Sequence, residues 1–247
     1  MLAVIGGSGL TQLANLQILR RQVMRTPYGE PSGALSFGKI GSEEIIFLAR
    51  HGNAHHLAPH EVNYRANIWA LKEAGATRVV AVNSVGGIHA DLAPGSIALP
   101  DQIIDYTWGR KTTFFEGAEK SVTHIDFTHP YDDEMRQSLV EAAAKAGEPM
   151  VAGGVYACTQ GPRLETAAEI NRLERDGASM VGMTGMPEAA LARELDLKYA
   201  ALVVVANHAA GRVGSSEGIR LEEIYAVLET GMARVRNIIE RLVTGGS

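Results

Sequence analysis

The sequence predicts an α/β protein: a single domain over residues 1–247 with a central mixed β-sheet flanked by helices. Three observations carry this expectation. Ala200-Ala201-Leu202-Val203-Val204-Val205-Ala206 is an unbroken apolar run, β-branched in its middle, as a strand buried on both faces requires. Two shorter apolar runs, Leu2–Ile5 and Val79–Val82, stop abruptly at Gly6-Gly7-Ser8-Gly9 and Asn83-Ser84-Val85-Gly86-Gly87. Between such runs lie segments of helical period closed by glycine. One runs from Pro59 to Ala74 and ends at Gly75; another, Asp132–Ala146, ends at Gly147. The chain has no internal repeat and no break in composition, so one large α/β domain accounts for its length.

The remaining elements follow in order. Gln22–Gly33 is turn-rich, and Ala34–Ile40 and Glu44–Ala49 read as strands joined through Gly41-Ser42. In the helix from Pro59, the residues Val62, Ala66, Trp69 and Ala70 share one face, which puts Trp69 in the core. Ile97–Tyr106 reads as a long strand or a strand pair. Trp108–Phe127 is an irregular loop, long enough to serve function or to reach a partner subunit. Val151–Thr159 is a strand, Thr166 opens a helix that ends at Gly177, Ser179–Thr184 is a short strand, and Pro187 opens a helix to Leu195. Gly211–Gly218 is a flexible Gly/Ser segment. Arg220–Leu242 is a long helix with Leu221, Ile224, Val227 and Leu228 on one face, and Thr244–Ser247 is a frayed end.

Composition narrows the function. A net charge of −5 gives no reason to expect nucleic acid or an anionic membrane as partner, and 6% aromatic residues argue against an RNA binder that stacks bases. Cys158 is the only cysteine, so no intrachain disulfide forms and a reducing, cytoplasmic setting fits. The start of the chain runs straight into a strand without a basic leader, and no apolar run approaches the ~18 residues of a spanning helix.

Open α/β sheets bind ligands at the carboxyl ends of their strands, and several polar clusters fall there. Asn207 ends the long apolar run; its amide either caps the following turn or offers a donor and an acceptor to a heterocycle edge. Gly6–Gly9 lets backbone N–H groups approach an anion beside the Ser8 hydroxyl, or is simply a tight turn. It lacks the G-x-G-x-x-G spacing of a dinucleotide site. Arg50-His51 closes the 44–49 strand. It is either a solvated pair or an oxyanion clamp, with Arg50 as a planar fork and His51 as a second donor. His51, His55, His56 and His60 cluster locally, but their spacing matches no H-E-x-x-H site and no cysteine is near, so no metal is expected.

Six segments taken together give the chain a family resemblance: Ile5-Gly-Gly-Ser-Gly-Leu10, Ala49-Arg-His-Gly52, Val62-Asn-Tyr-Arg-Ala-Asn-Ile-Trp-Ala-Leu-Lys-Glu-Ala-Gly75, Asp101-Gln-Ile-Ile-Asp105, Gly161-Pro-Arg163 and Val181-Gly-Met-Thr184. The chain resembles the trimeric purine nucleoside phosphorylases, most closely their 5'-methylthioadenosine phosphorylase branch. The resemblance implies a homotrimer, or a dimer of trimers, in which inorganic phosphate is a co-substrate and no cofactor is needed. Phosphate attacks the anomeric carbon of a purine nucleoside and the free base leaves. Ser8, Arg50, His51, Ser84 and Thr184 fall where the family holds phosphate, Met183 where it packs on the ribose, and Asn207 where it meets N7 of the purine. Asn207 and His51 are the implied catalytic pair; Val85, His208 and Ala209 complete the substrate-binding set. The chemistry is consistent with this. Breaking the glycosidic bond builds negative charge on the base, which an amide can meet without titrating, while the clamp positions phosphate. Cys158 sits on a strand, away from these ends, and reads as packing rather than nucleophile.

Three departures from the nearest branch narrow the substrate. Adenosine-type enzymes of that branch carry aspartates in the segment aligned with Asn207-His208-Ala209; here the first and third positions are not acidic. Glu165 stands where those enzymes have a small hydroxyl residue and where 6-oxopurine enzymes have Glu. A carboxylate accepts from the N1–H of hypoxanthine but opposes the bare N1 of adenine. That mismatch costs about 1–3 kcal/mol, or about tenfold or more in discrimination. Glu165 also has a simpler reading, as an acid favoured at a helix N-terminus. At the position facing the 5'-group, counting forward from Asn207 brings Ile219, which suits a 5'-methylthio group rather than a hydroxyl. The resemblance also implies that His124, in the 108–127 loop, reaches toward a neighbouring subunit's site. The expectation is phosphorolysis of S-methyl-5'-thioinosine to hypoxanthine and 5-methylthioribose 1-phosphate. The rivals are methylthioadenosine phosphorolysis, general inosine/guanosine phosphorolysis, and a non-catalytic purine-binding protein; the intact phosphate set argues against the last.

Overall fold

Strand β5 (Arg78–Gly87) organises the molecule. In the computed structural model, which describes residues 1–117 and 121–245, β5 bonds on one side to β1 (Leu2–Gly6) and on the other to β11 (Lys198–His208), both in parallel. Outward from β1 lie β4 (Glu43–Ala49), β3 (Leu35–Ile40) and β2 (Gln17–Gln22). Beyond β11 lie β6 (Ile97–Leu99) and β8 (Val151–Ala152). The far end of β5 also takes β10 (Met180–Gly182) in antiparallel pairing, followed by β9 (Val155–Cys158) and β7 (Gln102–Asp105). Among the described residues these form one 11-stranded mixed sheet, as the α/β expectation required.

Alternation along the central strands builds two cores. Ala3 and Ile5 of β1 and Ala201, Val203 and Val205 of β11 face one side, with α1 (Tyr64–Glu73) and α4 (Glu188–Glu194). Leu2 and Val4 of β1 and Ala200, Leu202, Val204 and Ala206 of β11 face the other, with α2 (Asp133–Ala146) and α5 (Leu221–Thr244). A strand covered on both faces has no polar side, which is why 200–206 is apolar throughout. A smaller cluster seats α3 (Ala167–Arg175) through Ile170 and Leu173 on Ala157 and Val181.

Several boundaries differ from expectation for local reasons. The first helix begins at Tyr64 because Asn63 caps it, accepting from the Ala66 N–H, while Ala58–Glu61 forms a separate turn. Val151–Thr159 is two strands, β8 and β9, because Gly153 and Gly154 take φ of 117° and 108°, which no extended strand can accommodate. Strand β2 was not foreseen: its six residues are all exposed on a sheet edge and show no apolar alternation. Leu221 is exposed rather than buried with its helix face, and Trp69 is partly buried, its ring against Tyr28 and Phe114. Residues 118–120 of the long loop and the last two of the 244–247 end lie outside the described residues. Among the described residues no helix is long and apolar enough to cross a membrane.

Helix α5 lies so close to β11 that a Cβ on Gly231 would sit 2.5 Å from Val204 Cγ1. Gly231→Val should therefore destabilise the protein by about 1–3 kcal/mol through overpacking, measured as a lower urea midpoint with unchanged slope.

Candidate active site

The site exists because β1 stops short of β5. Register pairing between them ends at Ile5↔Ala81, while β5 runs on to Gly87, where β10 joins it at Val181↔Gly86. The gap between β1 and β10 opens at the carboxyl ends of β1, β4, β5 and β11. It holds a cavity of about 390 Å³ walled by Ser8, Arg50, His51, Ser84, Val85, Met183, Thr184, Asn207, Ala209, Glu165 and Ile219. Eleven of the thirteen residues singled out from sequence thus meet in one place.

One end is built around Arg50. Its backbone N–H continues the β1–β4 pairing by donating to the Gly6 carbonyl, and its side chain turns inward, fully buried. Nη1 donates to the Val82 carbonyl at 2.9 Å, just past the last register pair with β1. Nε and Nη2 donate to the two Glu188 oxygens at 2.7 and 2.8 Å. Glu188, the first residue of α4, is itself fully buried and takes a third hydrogen bond from the Tyr199 hydroxyl at 2.9 Å. Burial opposes charge on Arg50, but the facing Glu188 carboxylate outweighs it and keeps the guanidinium protonated. Of its five N–H donors, three are used, leaving two. Gly7 is required here: a Cβ would lie 2.5 Å from Val82 O and 2.9 Å from Arg50 Nη1.

His51 differs from its expected role. Its Nδ1 lies 2.8 Å from the Leu57 carbonyl, which can only accept, so Nδ1 carries the proton. Burial, then the Arg50 charge, lowers its pKa to about 4. The ring is therefore neutral near pH 7, and Nε2 is an acceptor rather than the second donor expected. Ser8 Oγ pairs with His55 Nε2 at 3.0 Å, and the His51 and His55 rings pack 4.8 Å apart. Thr184 is buried, and its hydroxyl oxygen accepts from Asn83 Nδ2 at 2.8 Å, which leaves the hydroxyl proton free to donate.

At the other end, β11 carries an irregularity between Val205 and Asn207, where the register against β5 shifts by one residue. Such a bulge re-aims the side chains after it, and both Ala206 and Asn207 line the cavity. Asn207 Nδ2 donates to the His208 carbonyl at 2.7 Å, leaving its second N–H and its Oδ1 for a ligand. Glu165 sits just ahead of Thr166, which closes a capping box with Glu169 at the start of α3. Burial raises the Glu165 pKa, against the hydrogen bond it accepts from Thr159 at 2.7 Å. Ile219 and Ile224 supply apolar wall from the start of α5.

Two expected residues are not in this cavity. The His208 ring packs toward Gly214, and its carbonyl accepts from Asn207 and Ser215 instead. His124 is exposed on the long loop. Cys158 is the last residue of β9 and so does lie at a strand end, but it faces the core, and burial pushes its thiol up to about 12, so it offers no nucleophile. Among the described residues, no group of three or more His, Cys, Asp or Glu could hold a metal ion. Sequence reasoning did not single out Glu188, Asn83 or Ile224 for the site. Asn83 stood in the polar end of β5 and Ile224 on the helical period of α5, whereas a carboxylate behind an arginine 138 residues away leaves no local signal.

The family model described as the phosphorylase superfamily matches residues 1–244. A protein of Pseudomonas syringae pv. tomato named probable S-methyl-5'-thioinosine phosphorylase is 54% identical, over 98% of each chain. The 6-oxopurine nucleoside phosphorylase of Pyrococcus furiosus is 46% identical over 86% of this chain and 81% of its own. The solved structure of methylthioadenosine phosphorylase from Schistosoma mansoni in complex with adenine superposes with a TM-score of 0.94 at 32% identity, covering 100% of this chain and 92% of that one.

Two outcomes follow from the buried charges. Glu188→Ala strands Arg50 in the core and should cost about 3–5 kcal/mol in urea denaturation. His51 has a folded pKa below its ordinary value, so as pH falls the unfolded chain binds the proton first. Its stability contribution is complete above about pH 6.5 and is lost between there and about pH 4. Urea midpoints should fall across that window, and His51→Gln should flatten the slope.

Proposed function

The chain belongs to the phosphorylase superfamily, and on that premise we propose that it catalyses phosphorolysis of S-methyl-5'-thioinosine to hypoxanthine and 5-methylthioribose 1-phosphate. The observation that carries this reading is the meeting of Glu165, Asn207 and Ile219 in the same cavity as Ser8, Arg50 and Thr184. Relatives named for methylthioinosine and for 6-oxopurine nucleosides support it.

In this reading phosphate sits among Ser8, Arg50, His51, Ser84 and Thr184. The two spare Arg50 N–H groups and the Thr184 hydroxyl donate to it, and His51 Nε2 accepts from the hydroxyl of the hydrogen phosphate ion. Held beneath the sugar, an oxygen of that phosphate attacks the anomeric carbon as the bond to the base nitrogen breaks. Met183 packs on the ribose, and Val85 and Ala209 flank the base. Negative charge grows on the departing purine, and the second N–H of Asn207 donates to N7. A preorganised donor of this kind is worth about 3–4 kcal/mol at most. His208 acts through its backbone carbonyl, which holds the Asn207 amide. Glu165 accepts the N1–H of the 6-oxopurine, and Ile219 and Ile224 receive the methylthio group. No cofactor takes part.

Residues 1–247 act as one phosphorylase domain, and the enzyme is a cytoplasmic homotrimer whose long loops carry His124 toward a neighbouring site. Against a general inosine/guanosine enzyme stands the apolar wall at Ile219 and Ile224, which offers a 5'-hydroxyl no partner.

Phosphate-dependent base release from methylthioinosine, methylthioadenosine, inosine and adenosine, measured side by side, tests the reading. Methylthioinosine should lead in kcat/KM. Preference for methylthioadenosine would reject the base-site assignment, and preference for inosine would reject the sugar-site assignment. The double change Glu165→Ser with Asn207→Asp should move preference toward methylthioadenosine by about tenfold or more.

A further inference from the structure

Glu165 is shared by two cavities. One is the site above; the other, of about 420 Å³, lies behind it, walled by Tyr106, Trp108, Thr159, Arg163, Glu169 and Arg172. A carboxylate placed between two spaces needs something to hold it toward one of them. Thr159, the residue after β9, is in position to do so. Its N–H donates to the Gly182 carbonyl at 2.8 Å, which pins its backbone to β10 in the cavity wall. Its hydroxyl lies 2.7 Å from Glu165 Oε1 and 3.3 Å from Gly182 O, so the single proton goes to the nearer carboxylate.

We propose that Thr159 is a specificity-determining positioning residue: its hydroxyl keeps Glu165 an ionised acceptor with Oε2 turned to the base, and so sets the choice of 6-oxopurine over 6-aminopurine. This deepens the function proposed above and rests on it. The chemistry is a matter of one proton. An ionised Glu165 accepts the N1–H of hypoxanthine and opposes the lone pair of adenine N1; a protonated Glu165 donates to that lone pair. Base choice therefore follows the protonation of Glu165. Burial pushes its carboxyl toward protonation, and the neighbouring Glu169 pushes the same way. Arg163 opposes this, but it is exposed and its guanidinium is engaged by Glu169. Across the second cavity Arg172 lies over the Tyr106 ring, and the Tyr106 hydroxyl donates to Asp176. The Thr159 hydroxyl is the side-chain donor bonded to the carboxylate, and with the backbone N–H of Glu165 it favours the ionised form.

The test compares wild type, Thr159→Val, Thr159→Ala and Thr159→Ser, reading kcat/KM for methylthioinosine and methylthioadenosine between pH 5 and 9. In the wild type the methylthioinosine/methylthioadenosine ratio should fall toward acid pH as Glu165 takes up its proton. In Thr159→Val the ratio at neutral pH should drop about tenfold, and the pH at which it falls should rise by about one unit. Thr159→Ser should restore both, and at any one pH the KM for phosphate should be the same in all four proteins. Thr159→Ala removes the hydroxyl without adding bulk and reads the same quantities if Thr159→Val does not fold. A wild-type ratio retained in Thr159→Val and Thr159→Ala, or an equal loss on both substrates with no movement of the pH profile, would overturn the proposal and leave the function standing. A wild-type enzyme that prefers methylthioadenosine at neutral pH would overturn both.

Discussion

The ion pair between Arg50 and Glu188 ties together the parts on which the site depends. It joins the end of β4 to the start of α4, and through Val82 it closes the edge of β5 that β1 leaves bare. Both side chains are fully buried, so each has given up its hydration. Such a pair is tolerable only because its geometry is bidentate and its remaining valences are met, by Val82 O on one side and the Tyr199 hydroxyl on the other. What it supplies is a fixed cation. Arg50 cannot swing out to solvent, so the two N–H groups it has left stay fixed with it at the cavity wall.

The same divergence of strands that strands Arg50 also shapes the cavity. Had β1 continued alongside β5, its backbone would occupy the space where a ligand fits. Instead β10 enters from the opposite direction and delivers Met183 and Thr184 to the wall. The irregularity in β11 completes the arrangement by turning Ala206 and Asn207 toward the same space. Residues of β1, β4 and β10 therefore share one cavity with residues of β11 and the approach to α3, and with Ile219 and Ile224. There the neutral His51 ring adds an acceptor beside a guanidinium rather than a second positive charge.

Much of this was legible locally. The central strands were evident because burial on both faces demands an unbroken apolar run, and glycine and asparagine mark where such runs stop. The capped helices announced themselves through Thr166 and Gly147. Edge strand β2 left no such mark, because an exposed strand buries nothing and is held by backbone bonding alone. The division of 151–159 turned on Gly153 and Gly154, which sequence alone allows to be either extended or turned. In the site, residues on strand ends were found readily. Glu188 and Thr159 were not, since each acts on a partner through space, Glu188 across 138 positions and Thr159 across a turn whose shape the sequence does not state.

The sequence by itself determined the α/β class, the polar residues at the strand ends, and the identities of Glu165, Asn207 and Ile219 on which the proposed substrate rests. These are consequences of residue type and order, because burial period and side-chain chemistry are local properties. Only the tertiary structure decided which of those residues share a cavity, that His208 contributes a carbonyl rather than a ring, and that His51 offers an acceptor. Those depend on where strands diverge and which polar groups are left facing one another in a low-dielectric interior. There a single hydrogen bond, such as that from His51 Nδ1–H to the Leu57 carbonyl, fixes where a proton resides.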